Sequence, residues 1–234
     1  MVFYAYVKQV TDNSTYRYVI VFASRAVADD WWRAVSTSSV VKFTESIRRV
    51  NAQFYTHDVN LANAANSLTT TGVATQFLGK VFFTLQYDLG GRILSIIPPL
   101  DNNFVDHISG NSFFIRSKAS PNEHWYCPLQ GTKSVYVSNT ERTRFRISRT
   151  SSSTAGTVMV GSDEIVITLT AVNLSINVLP ENGQVIVSNA PRTGLKFSDF
   201  LGKFSTGAIL YKDGKSLGSR ELFYMEDGEE WELV

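Results

Sequence analysis

The sequence predicts two domains: a small α+β N-terminal domain over residues 1–100, then an all-β domain over residues 101–234. Three observations carry this expectation. The first is an internal repeat. Ser134-Val135-Tyr136-Val137-Ser138-Asn139 runs into Arg142-Thr143-Arg144-Phe145-Arg146-Ile147, and Gln184-Val185-Ile186-Val187-Ser188-Asn189 runs into Arg192-Thr193-Gly194-Leu195-Lys196-Phe197. The second is even spacing of the runs ahead of each copy. Phe114 to Trp125 and Trp125 to Tyr136 span 11 positions each, while Val166 to Ile176 and Ile176 to Ile186 span 10 each. Repetition at a fixed period decides architecture before any local feature does. The third is a different texture in the first hundred residues, where one helix-period segment interrupts strand-like runs.

The N-terminal elements follow in order. Val2–Val10 and Tyr16–Ala23 alternate as strands do, with Thr11-Asp12-Asn13-Ser14 as turn chemistry between them. Arg25–Val35 has Ala28, Trp31, Trp32 and Val35 at helical spacing, Ser24 as N-cap, and Asp29 and Asp30 where the helix dipole favours acids. Only one of the tandem Trp31 and Trp32 can face the sheet squarely, so one is expected in the core and the other over an edge. Arg48–Val59 reads as a third strand and Ala62–Asn66 as a short helix. Gly79–Tyr87 and Arg92–Ile97 read as a hairpin around Asp88-Leu89-Gly90-Gly91. Pro98-Pro99 ends this layer, because proline cannot donate in a ladder. Asp101-Asn102-Asn103 is the expected linker.

The repeats predict strands broken by turn residues. In copy one these are Phe113–Arg116, His124–Cys127, Ser134–Asn139 and Arg142–Ile147. In copy two they are Ile165–Thr168, Leu174–Val178, Gln184–Asn189 and the run to Phe197. In copy three they are Ala208–Tyr211, a weak strand at Leu217, Leu222–Met225 and Glu230–Val234. Twelve short strands in a threefold repeat is the plan of a β-trefoil. Its expected core includes Phe114, Trp125, Val135, Phe145, Ile167, Ile176, Val187, Ile209 and Trp231. An open edge is a liability, so the last strand is expected to pair with the first, setting Arg116 against Glu230 or Glu232.

Composition excludes several function classes. The net charge of +1 does not suggest a nucleic-acid partner. No run approaches the ~20 apolar residues of a membrane span. The alternating N-terminus lacks the basic start and apolar core of a secretory signal. The single cysteine, Cys127, forms no internal disulfide. Together these point to a cytoplasmic protein, or to one exported without a signal peptide. His57, His107 and His124 show no metal-ligand spacing, so neither metal nor cofactor is expected. His124 and Cys127 sit on opposite faces of one strand and diverge, which argues against a nucleophile–base pair. No catalytic residues are therefore assigned. Arg142, Arg144, Arg146 and Arg149 alternate with Thr143, Phe145 and Ile147. The plainer reading is a solvated strand face that discourages edge pairing; a basic face that binds an anion or nucleic acid is the alternative.

The run Phe113-Phe114-Ile115-Arg116-Ser117, then His124-Trp125-Tyr126, then Val135–Asn139, then Thr143–Ile147 resembles one subdomain of the ricin-B-type β-trefoil lectins, particularly fungal ones. The resemblance covers about residues 107–234. The family's Gln-any-Trp motif is absent from all three copies, with Phe145, Phe197 and Trp231 in the corresponding core places. The resemblance implies carbohydrate binding without catalysis, in a shallow pocket of aromatic, acid and amide groups. The best-supplied copy is the first, with Asn122, His124, Tyr136 and Asn139 as candidate carbohydrate-binding residues beside Trp125. Copy two offers Asn173, Asn177 and Asn189. Copy three offers Asp213, Tyr224 and Asp227. The implied partner is a glycan or glycoprotein, with a possible homo-oligomer formed through the N-terminal domain. Two other readings stay open: a protein-binding module such as a protease inhibitor acting through one exposed loop, and an enzyme or assembly function in residues 1–100.

Overall fold

Two-residue periodicity sets the first sheet. Phe3, Ala5 and Val7 of β1 (Phe3–Gln9) and Tyr18, Ile20 and Phe22 of β2 (Tyr18–Phe22) are buried, because alternate strand side chains share a face. The computed structural model of the chain describes residues 1–11, 15–86, 104–128, 132–151, 156–212 and 215–234, and at 212 and 215–217 only the backbone. The expected turn at Asp12–Ser14, the turn and strand at Asp88–Ile97, the Pro98-Pro99 stop, the linker Asp101–Asn103 and the candidate Asp213 lie outside the described residues. By contacts the chain forms two units, Met1–Asp106 and His107–Val234.

In the first unit β1 pairs antiparallel with β2 and parallel with β4 (Phe54–His57). With β3 (Arg48–Asn51) and β5 (Val81–Leu85) at the edges, the order is β3-β4-β1-β2-β5. The single strand expected over Arg48–Val59 is instead a tight hairpin. Asn51 Oδ1 accepts the Gln53 N–H at 2.9 Å and turns the chain between β3 and β4, the local bonding that makes Asn a turn residue. Helix α1 (Arg25–Ser36) begins at Ser24, whose Oγ accepts the Val27 N–H at 3.2 Å. Trp31 is fully buried and donates from Nε1 to Ser67 Oγ at 3.0 Å. Its ring lies 5.6 Å from Phe22, 5.5 Å from Tyr55 and 5.9 Å from Phe83. Trp32 is half-buried against Tyr55 at 5.7 Å, so the pair divides as the helical period requires. A second helix, α2 (Val41–Ser46), was not expected. Its run of Val, Phe and Thr has poor helix propensity, and it forms where Phe43 is buried.

Asp29 acts otherwise than as a helix-dipole partner. It is buried and bonds Arg25 Nε at 2.9 Å and Arg49 Nη2 at 3.0 Å. Arg49 also pairs with Asp106, and Arg25 donates to the Val105 carbonyl at 3.1 Å. The network therefore ties α1, β3 and the end of the unit together. Removing one partner of such a buried set costs about 3–5 kcal/mol, because it leaves a charge uncompensated.

The second unit holds β6 (Ser112–Phe113), β7 (Ile115–Ser117), β8 (His124–Tyr126), β9 (Tyr136–Ser138), β10 (Phe145–Arg149), β11 (Ile165–Leu169), β12 (Leu174–Val178), β13 (Val185–Ser188), β14 (Phe204–Lys212), β15 (Lys215–Tyr224) and β16 (Trp231–Leu233). They form two sheets, β13-β12-β11-β10-β6 and β14-β15-β9-β8-β7-β16. The expected closing pair is present. Phe114 and Val234 exchange two backbone hydrogen bonds of 2.9 Å, and Arg116 Nε and Nη2 bond Glu232 Oε1 at 3.0 and 2.6 Å. Trp125, Val135, Phe145, Ile167, Ile176, Val187 and Trp231 are all buried. Gly228 lies against the backbone of Phe204, where a Cβ would sit 2.6 Å from its N and O atoms. Only glycine allows that approach.

The expected fold class is corrected. The chain does not divide into a small α+β domain and a twelve-stranded β-trefoil. It is mainly all-β throughout, with three sheets and two α-helices among the described residues. The expected strand at Phe197 is a 3-10 helix, Phe197–Leu201, capped by the Asp199 carboxylate accepting the Lys196 N–H at 2.8 Å. Leu195 and Phe200 are buried there, while Phe197 is half-buried. The expected separate strands at Leu217 and Leu222–Met225 merge into the ten-residue β15. Two core assignments also fail. Phe114 points outward because Phe113 and Ile115 take the buried places on either side of it. Ile209 is 49 % exposed because β14 runs past the strands that would cover it.

Trp231→Ala should cost the second unit about 3–5 kcal/mol in chemical denaturation, whereas Glu232→Gln, at a half-exposed pair, should cost less than about 1 kcal/mol. His57 is buried, donates from Nε2 to the Tyr16 carbonyl at 2.7 Å and accepts the Ala64 N–H at Nδ1 at 3.0 Å. Burial lowers its pKa below the ordinary 6.5, partly offset by the bond to Tyr16 and by nearby Asp58. Below 6.5 the unfolded chain takes up a proton that the folded chain refuses. Stability of the first unit is then fully present above 6.5 and falls as pH drops toward the folded pKa. Denaturant midpoints measured across this window should show the loss, and His57→Gln should flatten it.

Candidate functional site

Burying Trp125 in the middle of β8 sends its neighbours the other way. His124 therefore faces outward into an open pocket of about 470 Å3 lined by Asn122, His124, Asn139, Thr140, Glu141 and Arg142. The turn ahead of β8 presents Asn122 and is closed by the Glu123 N–H on the Ser120 carbonyl at 2.8 Å. His124 Nδ1 lies 3.2 Å from the Asn122 carbonyl, which can only accept. The neutral ring therefore carries its proton on Nδ1 and keeps Nε2 as an acceptor.

The opposite wall is the turn after β9. Ser138 Oγ accepts the N–H groups of Thr140 and Glu141, both at 3.2 Å. This local bonding fixes the turn that presents Asn139, Thr140, Glu141 and Arg142. His124 and Ser138 are cross-strand partners, so the two turns are held side by side. The guanidinium carbons of Arg142 and Arg144 lie 4.4 and 4.6 Å from the ring centre of Phe114. Those cations thus occupy the aromatic surface next to the pocket.

The β14–β15 hairpin adjoins this wall. A Cβ at Gly218, whose φ is +64°, would stand 3.5 Å from Asn139 Oδ1. Arg220 Nη2 bonds the Glu123 carboxylate beside Asn122. Neighbouring β9 pairs with β15 only at Ser219–Glu221, and β14 is the terminal strand of its sheet. Register shifts fall on either side of Ile209, whose partner Arg220 still pairs with Val137 of β9; at Tyr211, opposite Ser216, β15 has no pairing to β9. Tyr211 is 66 % exposed.

Three of the four candidate residues, Asn122, His124 and Asn139, line one pocket. Tyr136 does not. It sits between Tyr126 and Glu221 in the sheet, with its hydroxyl 3.3 Å from Thr132 Oγ1. Trp125 is core. In copy two, Asn177 is committed internally: its Nδ2 donates to Ser188 Oγ at 3.3 Å and its Oδ1 accepts the Val178 N–H at 2.8 Å. Asn173 holds a left-handed turn at φ 54°, and Asn189 lies in the bend after β13. In copy three, the Tyr224 hydroxyl donates to Asp199 Oδ2 at 3.1 Å, and Asp227 holds a left-handed turn at φ 60°. The sequence reading missed Thr140, Glu141 and Arg142 as pocket residues. The one available signal was the Asn-Thr-Glu turn between two strand-like runs.

No group of three or more His, Cys, Asp or Glu among the described residues could hold a metal ion. No described helix is long and apolar enough to cross a membrane.

No family model matches the sequence, and no curated protein matches it. Among solved structures, the chain is similar to one in a crystal structure of a mutant of BBKI in complex with bovine trypsin. The identity is 9% and the TM-score 0.36, over 58% of this chain and 97% of that one.

Cys127 supplies a direct chemical check. Burial pushes its thiol up to about 11. At pH 8, three units lower, only about one molecule in a thousand carries the reactive thiolate. Iodoacetamide should label Cys127 slowly in the folded protein and at the free-cysteine rate in denaturant, as read by mass spectrometry. Rapid labelling of the folded chain at neutral pH would contradict this burial.

Proposed function

We propose that this protein is a non-catalytic binding module whose partner is another protein. The observation that carries the reading is a polar pocket and, on the terminal hairpin of the same sheet, the exposed side chains of Ile209 and Tyr211. A two-stranded hairpin is marginal in water by itself, and a large exposed aromatic side chain there favours a covering surface. Exposed apolar and aromatic side chains in the same unit as hydrogen-bonding and charged groups match the anatomy of protein interfaces, where Tyr and Arg are over-represented. A monosaccharide in the pocket would leave the hairpin uncovered. The pocket also lacks a stacking platform: Trp125 is buried, Tyr136 lies elsewhere, and Phe114 is covered by two guanidiniums.

A glycan ligand is the second reading. The observation that favours it is the convergence of the Asn122 and Asn139 amides with the His124 acceptor, groups suited to sugar hydroxyls.

A serine-protease inhibition panel, interaction screening with the full chain, and a glycan array separate the two. For any protein partner found, Tyr211→Ala should weaken binding by about 2 kcal/mol, roughly thirtyfold. The melting transition should barely move, since the side chain is exposed. Retention on glycans that depends on Asn139, with no protein partner and no effect of Tyr211→Ala, would reverse the order of the two readings.

A further inference from the structure

We propose that Arg142 and Arg144, mounted on Phe114 at the pocket rim, are a docking site for carboxylate side chains, so that the partner presents an acidic segment. This rests on the protein-binding reading above and names the chemistry of its partner. Other cations of the same unit are already used. Arg116 pairs with Glu232, Lys118 with Glu230, Arg149 with Asp163, Lys203 with Glu226 and Arg220 with Glu123. Arg142, Arg144 and Arg146 are exposed, and among the described residues none of the three pairs with a carboxylate. The basic run of the sequence is thus split. Arg149 is spent on a buried acid, and the other three project from one strand and the turn before it.

The mounting matters as much as the charge. Both guanidiniums lie over the Phe114 ring, and Arg144 Nη1 also reaches the Ser112 carbonyl at 3.5 Å. A guanidinium stacked on a ring keeps its N–H edge free, and that edge matches a carboxylate with two parallel hydrogen bonds. Stacking also restrains the side chain, so less freedom is lost on binding. Arg142 lines the pocket together with the Asn122 and Asn139 amides, which can hydrogen-bond the partner's backbone on either side of an acidic residue.

Glu141 is the opposing charge. Arg142 and Arg144 against one carboxylate leave a local surplus of one positive charge. That favours an acidic polypeptide over a nucleic acid. The chain's net charge is only +1, and its large core aromatics, Trp125 and Phe145, are buried away from any base.

The test uses the full chain and two short peptides, one alternating glutamate with serine and one carrying glutamine in place of each glutamate. Binding is followed by calorimetry and by the Arg Nε–H resonances in NMR. The glutamate peptide should bind and shift the Arg142 and Arg144 signals, and the glutamine peptide should bind at least about tenfold more weakly. Affinity for the glutamate peptide should fall as salt rises from about 0.1 to 1 M, over which the Debye length shrinks from about 10 to 3 Å. Arg142→Lys keeps the charge but loses the two-pronged geometry, and should lose most of the affinity with the melting transition unchanged. Equal binding of both peptides, or full binding by Arg142→Lys, overturns the carboxylate assignment while the protein-binding reading stands. Binding of neither peptide overturns the assignment. If sialylated glycans are then retained in an Arg142-dependent way, the protein-binding reading falls with it.

Discussion

The burial of Trp125 is the constraint on which the second unit depends. Its indole lies 4.7 Å from Phe204, 5.8 Å from Phe200, 5.9 Å from Trp231 and 6.0 Å from Phe145. Those rings come from β14, the 3-10 helix, β16 and β10, so segments far apart in the sequence meet on one side chain. Phe204 in turn accepts Trp231 Nε1–H at 3.1 Å on its carbonyl. Edge-on ring contacts of this kind add about 0.5–1.5 kcal/mol each beyond area burial. Because strand side chains alternate, a buried Trp125 forces His124 out to the surface, where the pocket lies. The core thereby places the candidate site.

The surface follows from how charge is distributed around that core. Most ion pairs of the second unit join strands far apart in sequence, such as Arg116 with Glu232 and Arg220 with Glu123. They sit at half-exposed positions and contribute little energy each, but they consume the carboxylates near them. The guanidiniums left over gather on Phe114, whose outward position is itself dictated by Phe113 and Ile115. In the first unit the logic differs. Asp29 and Arg49 are buried, and their bonds hold α1 against β3, where the cost of an unpaired charge enforces one arrangement.

Much of this was legible from local patterns. The alternation in β1, β2 and the repeats, the Ser24 cap, the division of labour between Trp31 and Trp32, and the closing pair of β7 and β16 all rest on residues close in sequence or on a simple edge argument. So does the proximity of Asn122 and His124. The failures were of another kind. Arg48–Val59 alternates much as a strand does, and the Asn51 side-chain bond helps turn it into a hairpin. The assignment of Phe114 as core chose the wrong one of two adjacent phenylalanines, a one-residue slip that flips the face. The repeat period extended a strand to Phe197, where the Asp199 cap starts a 3-10 helix instead.

The sequence by itself determined the alternation of most strands and much of the periodic core, because alternation and spacing are properties of the chain read one residue after another. Only the tertiary structure decided how the strands were grouped into sheets, that Asn139 and Arg142 would stand opposite Asn122 and His124, that Tyr136 would turn away, and that Ile209 and Tyr211 would be left exposed. Those outcomes depend on which segments meet across long sequence separations, and on which charges are already neutralised when they do. Such distances and partners are set by packing around Trp125, and no local window of residues contains them.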